Sequence, residues 1–149
     1  MLDIGQTAPD FTLPDQDGKP RALRELLTSG PVLLYFYPAD FTPGCTKEAC
    51  SLRDMLPKDA PADIQVLGIS PQGEESHRRF RAEHGLEFPL LCDEDKKVIK
   101  AYDCDGPLGI GVRRVSYLID TDGVIRDAVK ADFRIGRHIE FFQRHINGN

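Results

Sequence analysis

Continuous apolar runs alternate along the chain with segments of helical periodicity. Val32 to Tyr37 and Ile64 to Ser70 are apolar almost throughout, which is typical of strands buried on both faces of a sheet. Near the end, Arg114 to Asp120 and Val124 to Lys130 have strand composition, and Thr121-Asp-Gly123 between them predicts a hairpin turn. The pattern therefore predicts a sheet with both parallel and antiparallel neighbours.

Helices are predicted between and after these strands. Thr42 suits an N-cap and Pro43 a first helical position, so a helix is expected from there to about Leu56. The last segment predicts a helix with one apolar face at spacings of four, three and four, formed by Ile135, Ile139, Phe142 and Ile146. The shorter predicted elements are a strand at Phe11–Leu13, a helix at Leu23–Leu27, a helix at Gly73–His84, a strand at Phe88–Leu91 and a helix capped by Asp93 that ends near Tyr102.

Strands that alternate with helices predict a three-layer α/β fold, in which a central mixed β-sheet is flanked by helices. The 149 residues, of which 40% are hydrophobic and 29% charged, suit a single domain spanning residues 1–149. The net charge of −5 provides no basic field for nucleic acid or anionic membrane. No apolar run is long enough to span a membrane and no targeting segment is visible, so a cytoplasmic location is expected.

Four cysteines are too few for disulfide bonds to stabilise a chain of this length. In a reducing compartment they indicate catalysis, redox chemistry or metal binding. Cys45 falls in the first turn of the helix that begins after Thr42, where free N–H groups and the helix dipole favour a thiolate. Cys50 follows five residues later, about 7.5 Å along an α-helix, which is too far for a disulfide. The pair can bond only if the helix start unwinds, which Gly44 makes easier. In the wound state we expect Cys45 to be exposed to substrate; two cysteines that merely pack in a core remain the alternative.

The segment from Tyr37 to Cys50 resembles the active site of the peroxiredoxins, whose signature is Pro-x-x-x-Thr-x-x-Cys. Pro38, Thr42 and Cys45 match that signature, and Cys50 is similar to the second cysteine of the bacterioferritin comigratory protein or Q-type subgroup. Three further segments resemble the same subgroup, namely Ala8–Gly18, Leu67–Ser70 and Arg114–Asp120.

The resemblance implies a thioredoxin-like fold and a thiol peroxidase that reduces hydrogen peroxide and organic hydroperoxides. Cys45 would attack the peroxide and become a sulfenic acid, and Cys50 would resolve it as an intramolecular disulfide, which thioredoxin or a similar dithiol reductant would reduce. Thr42 and Arg114 would hydrogen-bond the peroxide, and Pro38 would shield the sulfur from water. No metal or organic cofactor is implied, and a resolving cysteine in the same chain favours a monomer.

The remaining candidates receive weaker predictions. Cys92 ends a short apolar strand and is expected to pack in the core, whereas Cys104 is expected to be an exposed loop thiol, with a second redox role as the alternative. Glu48 is expected either to contact the site residues from outside the site or to face solvent, and it is not included among the site residues. The four histidines have no cysteine or carboxylate partners at ligand spacing, so no metal site is expected.

Two rival functions remain open. A thioredoxin-like disulfide oxidoreductase needs Cys-x-x-Cys, but four residues separate Cys45 from Cys50. A non-catalytic zinc-binding protein needs two tight cysteine pairs; Cys45 and Cys50 form one, but eleven residues separate Cys92 from Cys104.

Overall fold

The computed structural model describes residues 1–56 and 64–147, which form seven strands and five α-helices. The strands are β1 (Thr12–Pro14), β2 (Pro20–Ala22), β3 (Val32–Phe36), β4 (Gln65–Ser70), β5 (Leu90–Cys92), β6 (Val115–Ile119) and β7 (Ile125–Lys130). The helices are α1 (Leu23–Leu27), α2 (Pro43–Met55), α3 (Glu74–His84), α4 (Lys97–Ala101) and α5 (Ile135–Phe142). The described helices include none that is long and apolar enough to cross a membrane.

A mixed sheet in the order β5-β4-β3-β6-β7 forms the middle layer. Its central strand, β3, is buried along its whole length, as the continuous apolar run predicts. β3 is parallel to β4 and antiparallel to β6, and β6 pairs with β7 through the predicted hairpin. A second, two-stranded sheet joins β1 to β2, and the sequence pattern did not predict β2.

Separate hydrophobic cores lie on the two faces of this sheet. One contains Leu23 and Leu27 of α1 together with Val98 and Ile99 of α4. The other takes its helical members from α2, α3 and α5, and these are Cys45, Ala49, Leu52, Phe80, Phe141 and Phe142. The prediction of a central mixed sheet flanked by helices on both sides is therefore confirmed.

The topology brings two distant parts of the sequence to one edge of the sheet. The chain leaves β3 at Phe36 and enters α2 after a short loop, so the first turn of α2 lies beside the carboxyl end of β3. The β6 register pairs Phe36 with Val115. Because Arg114 directly precedes Val115, it lies at this same edge, next to the start of α2.

Two helix predictions need correction. α4 begins at Lys97 rather than next to Asp93, but the Asp93 carboxylate still accepts the N–H of Ile99 at 2.7 Å and so caps the helix from outside. In α5 the fully buried residues are His138, Phe141 and Phe142, whereas the predicted Ile135 and Ile139 are half-buried, as is Ile146, which lies beyond the end of α5. The buried face is rotated because a histidine, which the periodicity treats as polar, is hydrogen-bonded inside the core.

Candidate active site

Cys45 is the third residue of α2, and its side chain is almost completely buried, with 1% of its surface exposed. Thr42 occupies the N-cap in extended backbone geometry, as predicted. Its hydroxyl, however, donates to the carbonyl of Ala39 at 3.1 Å, so a bond from Thr42 to a bound peroxide requires that this contact be given up. The expectation that Cys45 is exposed in the wound helix is wrong, because Arg114 and the α5 side of the core cover it.

Arg114 reaches the sulfur directly. Its Nη1 donates to Cys45 Sγ at 3.0 Å, and 8% of the residue is exposed. The backbone N–H of Arg114 donates to Asp132 at 3.0 Å, which fixes the start of β6. A Cβ on Gly44 would lie 3.0 Å from Arg114 Nη2, so the glycine leaves room for the guanidinium. A fixed cation hydrogen-bonded to the sulfur stabilises a thiolate.

Glu48 lies behind this pair and is fully buried. Arg114 Nη1 also donates to Glu48 Oε1, at 3.4 Å. Burial raises the pKa of Glu48 to about 8, against the opposing charge of Arg114. The carboxyl is therefore mainly neutral at pH 7, and the positive charge of Arg114 is left to pair with Cys45.

His138 of α5 completes the buried group. Its Nδ1 lies 2.9 Å from Ser116 Oγ and 3.5 Å from Glu48 Oε2, and its Nε2 lies 3.0 Å from the carbonyl of Ala131. The carbonyl can only accept, so Nε2 carries a proton and Nδ1 accepts from the Ser116 hydroxyl. Burial lowers the pKa of His138, and the nearby Arg114 charge lowers it further, which favours this neutral form.

Sequence reasoning missed both of these residues. Glu48 follows Cys45 by three residues, a spacing that puts both side chains on one helix face, so a signal existed. His138 gave no comparable signal, because its partners come from distant parts of the chain. Two histidines contact carboxylates from distant parts of the chain, His77 with Asp40 and His145 with Asp127, each at 2.7 Å. No group of three or more His, Cys, Asp or Glu suited to a metal occurs in the described residues.

A cavity of about 520 Å³ adjoins the site on the Arg114 side. Its lining includes Pro38 and Arg114, the apolar side chains of Ile110, Val112 and Phe133, and the charged residues Arg113 and Asp132. A small molecule that enters this cavity lies next to Arg114 and the half-buried Pro38.

Cys50 is half-buried and lies on the same uninterrupted helix as Cys45, and both are reduced thiols. Five residues of α-helix separate two Cα atoms by about 7.5 Å along the axis, beyond the roughly 4.4–6.8 Å that a disulfide accepts. A bond between them therefore requires the first turns of α2 to unwind.

The two other cysteines are packed in the core. Cys92 is buried at the end of β5, as predicted, and burial raises the pKa of its thiol to about 12. The expectation that Cys104 is exposed is wrong: it is fully buried, its thiol donates to the carbonyl of Tyr102 at 3.3 Å, and burial raises its pKa to about 12. Its backbone N–H donates to the carbonyl of Ile99, so the chain closes helix α4 here and turns the thiol inwards.

The geometry does not favour a zinc site built from all four cysteines. Cys104 belongs to the core on one face of the sheet, whereas Cys45 belongs to the core on the other face. All four sulfurs would have to lie about 2.3 Å from one zinc ion, and cysteines on opposite faces of the sheet cannot meet this requirement.

In this chain an arginine hydrogen-bonds a cysteine at the start of a helix, on a sheet of this topology. This combination indicates the class of thioredoxin-like thiol peroxidases. Residues 4–128 match the AhpC/TSA family, and the chain belongs to that family. It is 44% identical over 137 residues to the chloroplastic peroxiredoxin Q of Arabidopsis thaliana, an alignment that covers 91% of this chain and 63% of the plant protein.

Solved structures agree with this assignment. The crystal structure of peroxidoxin BcpB from Mycobacterium tuberculosis is similar with a TM-score of 0.86 and 38% identity, over 95% of this chain and 94% of that one. A structure of the bacterioferritin comigratory protein of Xanthomonas campestris, described for its alkyl peroxide reduction activity, has a TM-score of 0.80 and 28% identity, over 95% and 92% of the two chains. The predictions of a thioredoxin-like fold and of an enzyme of the peroxiredoxin class, Q or bacterioferritin comigratory type, are confirmed.

Proposed function

We propose that Cys45 is the residue that reacts with peroxide. Its thiolate attacks one oxygen of the O–O bond, an S–O bond forms as the O–O bond breaks, and the other oxygen leaves as water or an alcohol after taking up a proton. The observation that carries this proposal is the 3.0 Å hydrogen bond from Arg114 to the Cys45 sulfur. The same guanidinium is positioned to stabilise negative charge as it moves onto the departing oxygen.

We assign the resolving step to Cys50. Its thiol attacks the Cys45 sulfenic acid, an S–S bond forms and water leaves. A dithiol reductant of the thioredoxin type then exchanges with this disulfide and is itself oxidised, which returns two thiols. The sequence separation within one helix supports this step only if α2 unwinds locally, so the proposal includes that conformational change.

The substrates proposed are hydrogen peroxide and organic hydroperoxides. The apolar lining of the cavity beside Arg114 suits an alkyl group, and the alkyl peroxide reduction described for the Xanthomonas relative supports the same substrate class. In this assignment Thr42 and Arg114 hydrogen-bond the peroxide oxygens, and Pro38 keeps water from the sulfur. The chain needs no second copy to resolve Cys45, so we propose that it works as a cytoplasmic monomer.

The test compares Cys45→Ser and Cys50→Ser with the unmodified protein in a thioredoxin-coupled peroxide assay, and Cys92→Ala serves as the matched control. We expect Cys45→Ser to lose all turnover, Cys50→Ser to react once without recycling, and the control to turn over normally. Mass mapping of the oxidised protein should identify a Cys45–Cys50 disulfide. Full activity in Cys45→Ser would refute the mechanism, and recycling by Cys50→Ser would refute the resolving assignment.

A further inference from the structure

The loop that leads into the active-site helix is tied to α3 by a buried carboxylate. Asp40 lies two residues before Thr42, and its side chain is completely buried. One oxygen, Oδ1, accepts the hydroxyl of Tyr37 at 2.7 Å. The other, Oδ2, accepts the hydroxyl of Ser76 at 2.8 Å and lies 2.7 Å from Nδ1 of His77. The backbone N–H of Asp40 donates to the side chain of Gln72.

Both ring nitrogens of His77 have hydrogen-bond partners. Its Nε2 lies 3.0 Å from the carbonyl of Leu91, which has no proton to give, so Nε2 must donate. Nδ1 faces Asp40, which already accepts two hydroxyl donors. Together with the Nδ1 contact, three side chains therefore converge on the Asp40 carboxyl group. Asp40 and His77 thus form a buried pair with 2.7 Å between Oδ2 and Nδ1, and neither side chain is exposed to solvent.

The next residue strengthens this attachment. Phe41 has a positive φ of 66°, a backbone conformation that is unfavourable for an aromatic residue. Its ring packs edge-on against Phe80 of α3, with ring centroids 5.2 Å apart, and lies 5.6 Å from the guanidinium carbon of Arg79. Contacts from α3 therefore hold Phe41 in a conformation that it would otherwise leave.

We propose that the Asp40–His77 pair is a clamp that holds the loop before Cys45 on α3 and so sets how readily the first turns of α2 unwind. The inference rests on the proposed function, in which Cys45 must leave the helix to meet Cys50. While the clamp is closed, the chain entering α2 is fixed at Asp40 and Phe41, and Cys45 is held under Arg114. Asp40 and His77 act here as positioning residues, because neither contacts the sulfur.

This role predicts opposite effects on two chemical steps. When the clamp is weakened, fewer molecules hold Cys45 against Arg114, so the reaction with peroxide slows. More molecules have an unwound helix start, so the Cys45–Cys50 disulfide forms faster from the sulfenic acid. A loss of general stability would also increase opening of the central sheet, whereas the clamp acts only on the loop and on the first turns of α2.

The variants that test the clamp are Asp40→Asn and His77→Gln, each of which alters one partner of the pair and keeps a polar side chain. Stopped-flow measurements should show peroxide oxidation slowed by about tenfold and disulfide formation accelerated by a similar factor, within the range of coupling between residues that share a hydrogen-bond network. The control is His145→Gln, which breaks the His145–Asp127 contact of the same 2.7 Å length, far along the chain from this loop. It should change neither rate.

Hydrogen exchange of the reduced variants keeps the clamp testable even if the proposed peroxidase chemistry fails. We expect amides between residues 40 and 46 to exchange faster in both clamp variants, while β3 and β4 stay protected. Circular dichroism identifies any variant that does not fold, and the other variant then carries the test. Exchange at residues 40–46 that equals the His145→Gln control, or both rates moving in the same direction, would overturn the proposal.

Discussion

Arg114 donates a hydrogen bond to the sulfur of Cys45 at 3.0 Å, although 69 positions separate the two residues in the sequence. The sheet register explains the contact, because β6 begins directly opposite the end of β3 and brings Arg114 next to the start of α2. Glu48 contacts the same guanidinium from behind but is mainly neutral at pH 7, since burial raises its pKa to about 8. The guanidinium of Arg114 is therefore available to hydrogen-bond the sulfur of Cys45.

Replacing Arg114 by Lys should slow the reaction with peroxide. The substitution keeps a positive charge but loses the planar fork that can reach sulfur and peroxide together. We expect the second-order rate constant for hydrogen peroxide to fall by about 100-fold, the effect of removing one preorganised donor from a reacting group. Stopped-flow fluorescence or competition kinetics measures it. Arg144→Lys is the control, because Arg144 is exposed and pairs with Asp127 at 3.0 Å, outside the cavity beside Arg114, and it should react normally.

Replacing Gly44 by Ala should displace the guanidinium. The added Cβ would lie 3.0 Å from Arg114 Nη2 and 3.4 Å from Ile135 Cδ1. We expect the peroxide rate constant to fall by roughly 10- to 100-fold, because small displacements of reacting groups are costly. The matched control is Gly136→Ala in α5, where a Cβ meets none of the described residues within 4 Å. Equal rates in the two alanine variants would show that Gly44 is not needed for the approach of Arg114.

Glu48 should make the folded state less stable as the pH rises. Its pKa rises from 4.5 to about 8 on burial, so the folded state holds a proton that the unfolded state releases above pH 4.5. Stability is therefore fully present below pH 4.5 and is lost as the pH rises to about 8. The loss amounts to roughly 3–5 kcal/mol at 1.36 kcal/mol for each pKa unit.

The comparison that isolates this effect uses Glu48→Gln, a neutral side chain of the same shape. Urea unfolding of both reduced proteins between pH 4.5 and 9 gives the difference in free energy of unfolding, in which the other titrating groups cancel. We expect the free energy of unfolding of the Gln variant to increase relative to that of the unmodified protein as the pH rises from 4.5 to 9. Parallel pH profiles would mean that Glu48 is ionised in the folded protein.

Cys92 and Cys104 should be unreactive in the folded protein. Burial raises the pKa of each thiol to about 12, so both are protonated at pH 8 and out of reach of solvent. Labelling with iodoacetamide at pH 8, followed by mass mapping, should leave both unmodified, and urea should expose them. Labelling of Cys104 in the native state would show that its thiol is accessible and reactive, and would support the alternative of a redox role for this residue.

The sequence pattern was sufficient for most of the fold, because β3 and β4 are largely buried: β3 is an unbroken apolar run, and β4 has no polar side chain between Gln65 and Ser70. It also named the candidates Pro38, Thr42, Cys45, Cys50 and Arg114 through their resemblance to a known family. Among these the structure brings Arg114 into contact with Cys45, and their roles in catalysis stay predictions. The pattern failed where tertiary contacts override local polarity. His138 is buried because Ser116 and Ala131 satisfy its ring nitrogens, and Cys104 is buried because the chain turns inwards at the end of α4. Neither contact is visible in a linear spacing.

The most direct measurement of the central claim is the oxidation of Cys50→Ser by one equivalent of hydrogen peroxide in the presence of dimedone, which traps sulfenic acids. Without Cys50 the sulfenic acid cannot be resolved within the chain, so it should persist long enough to be trapped. We predict one dimedone adduct per chain, located at Cys45 by tandem mass spectrometry and formed about 100-fold more slowly when Arg114→Lys is added. An adduct at Cys92 or Cys104 in place of Cys45, or no adduct at all, would contradict the account.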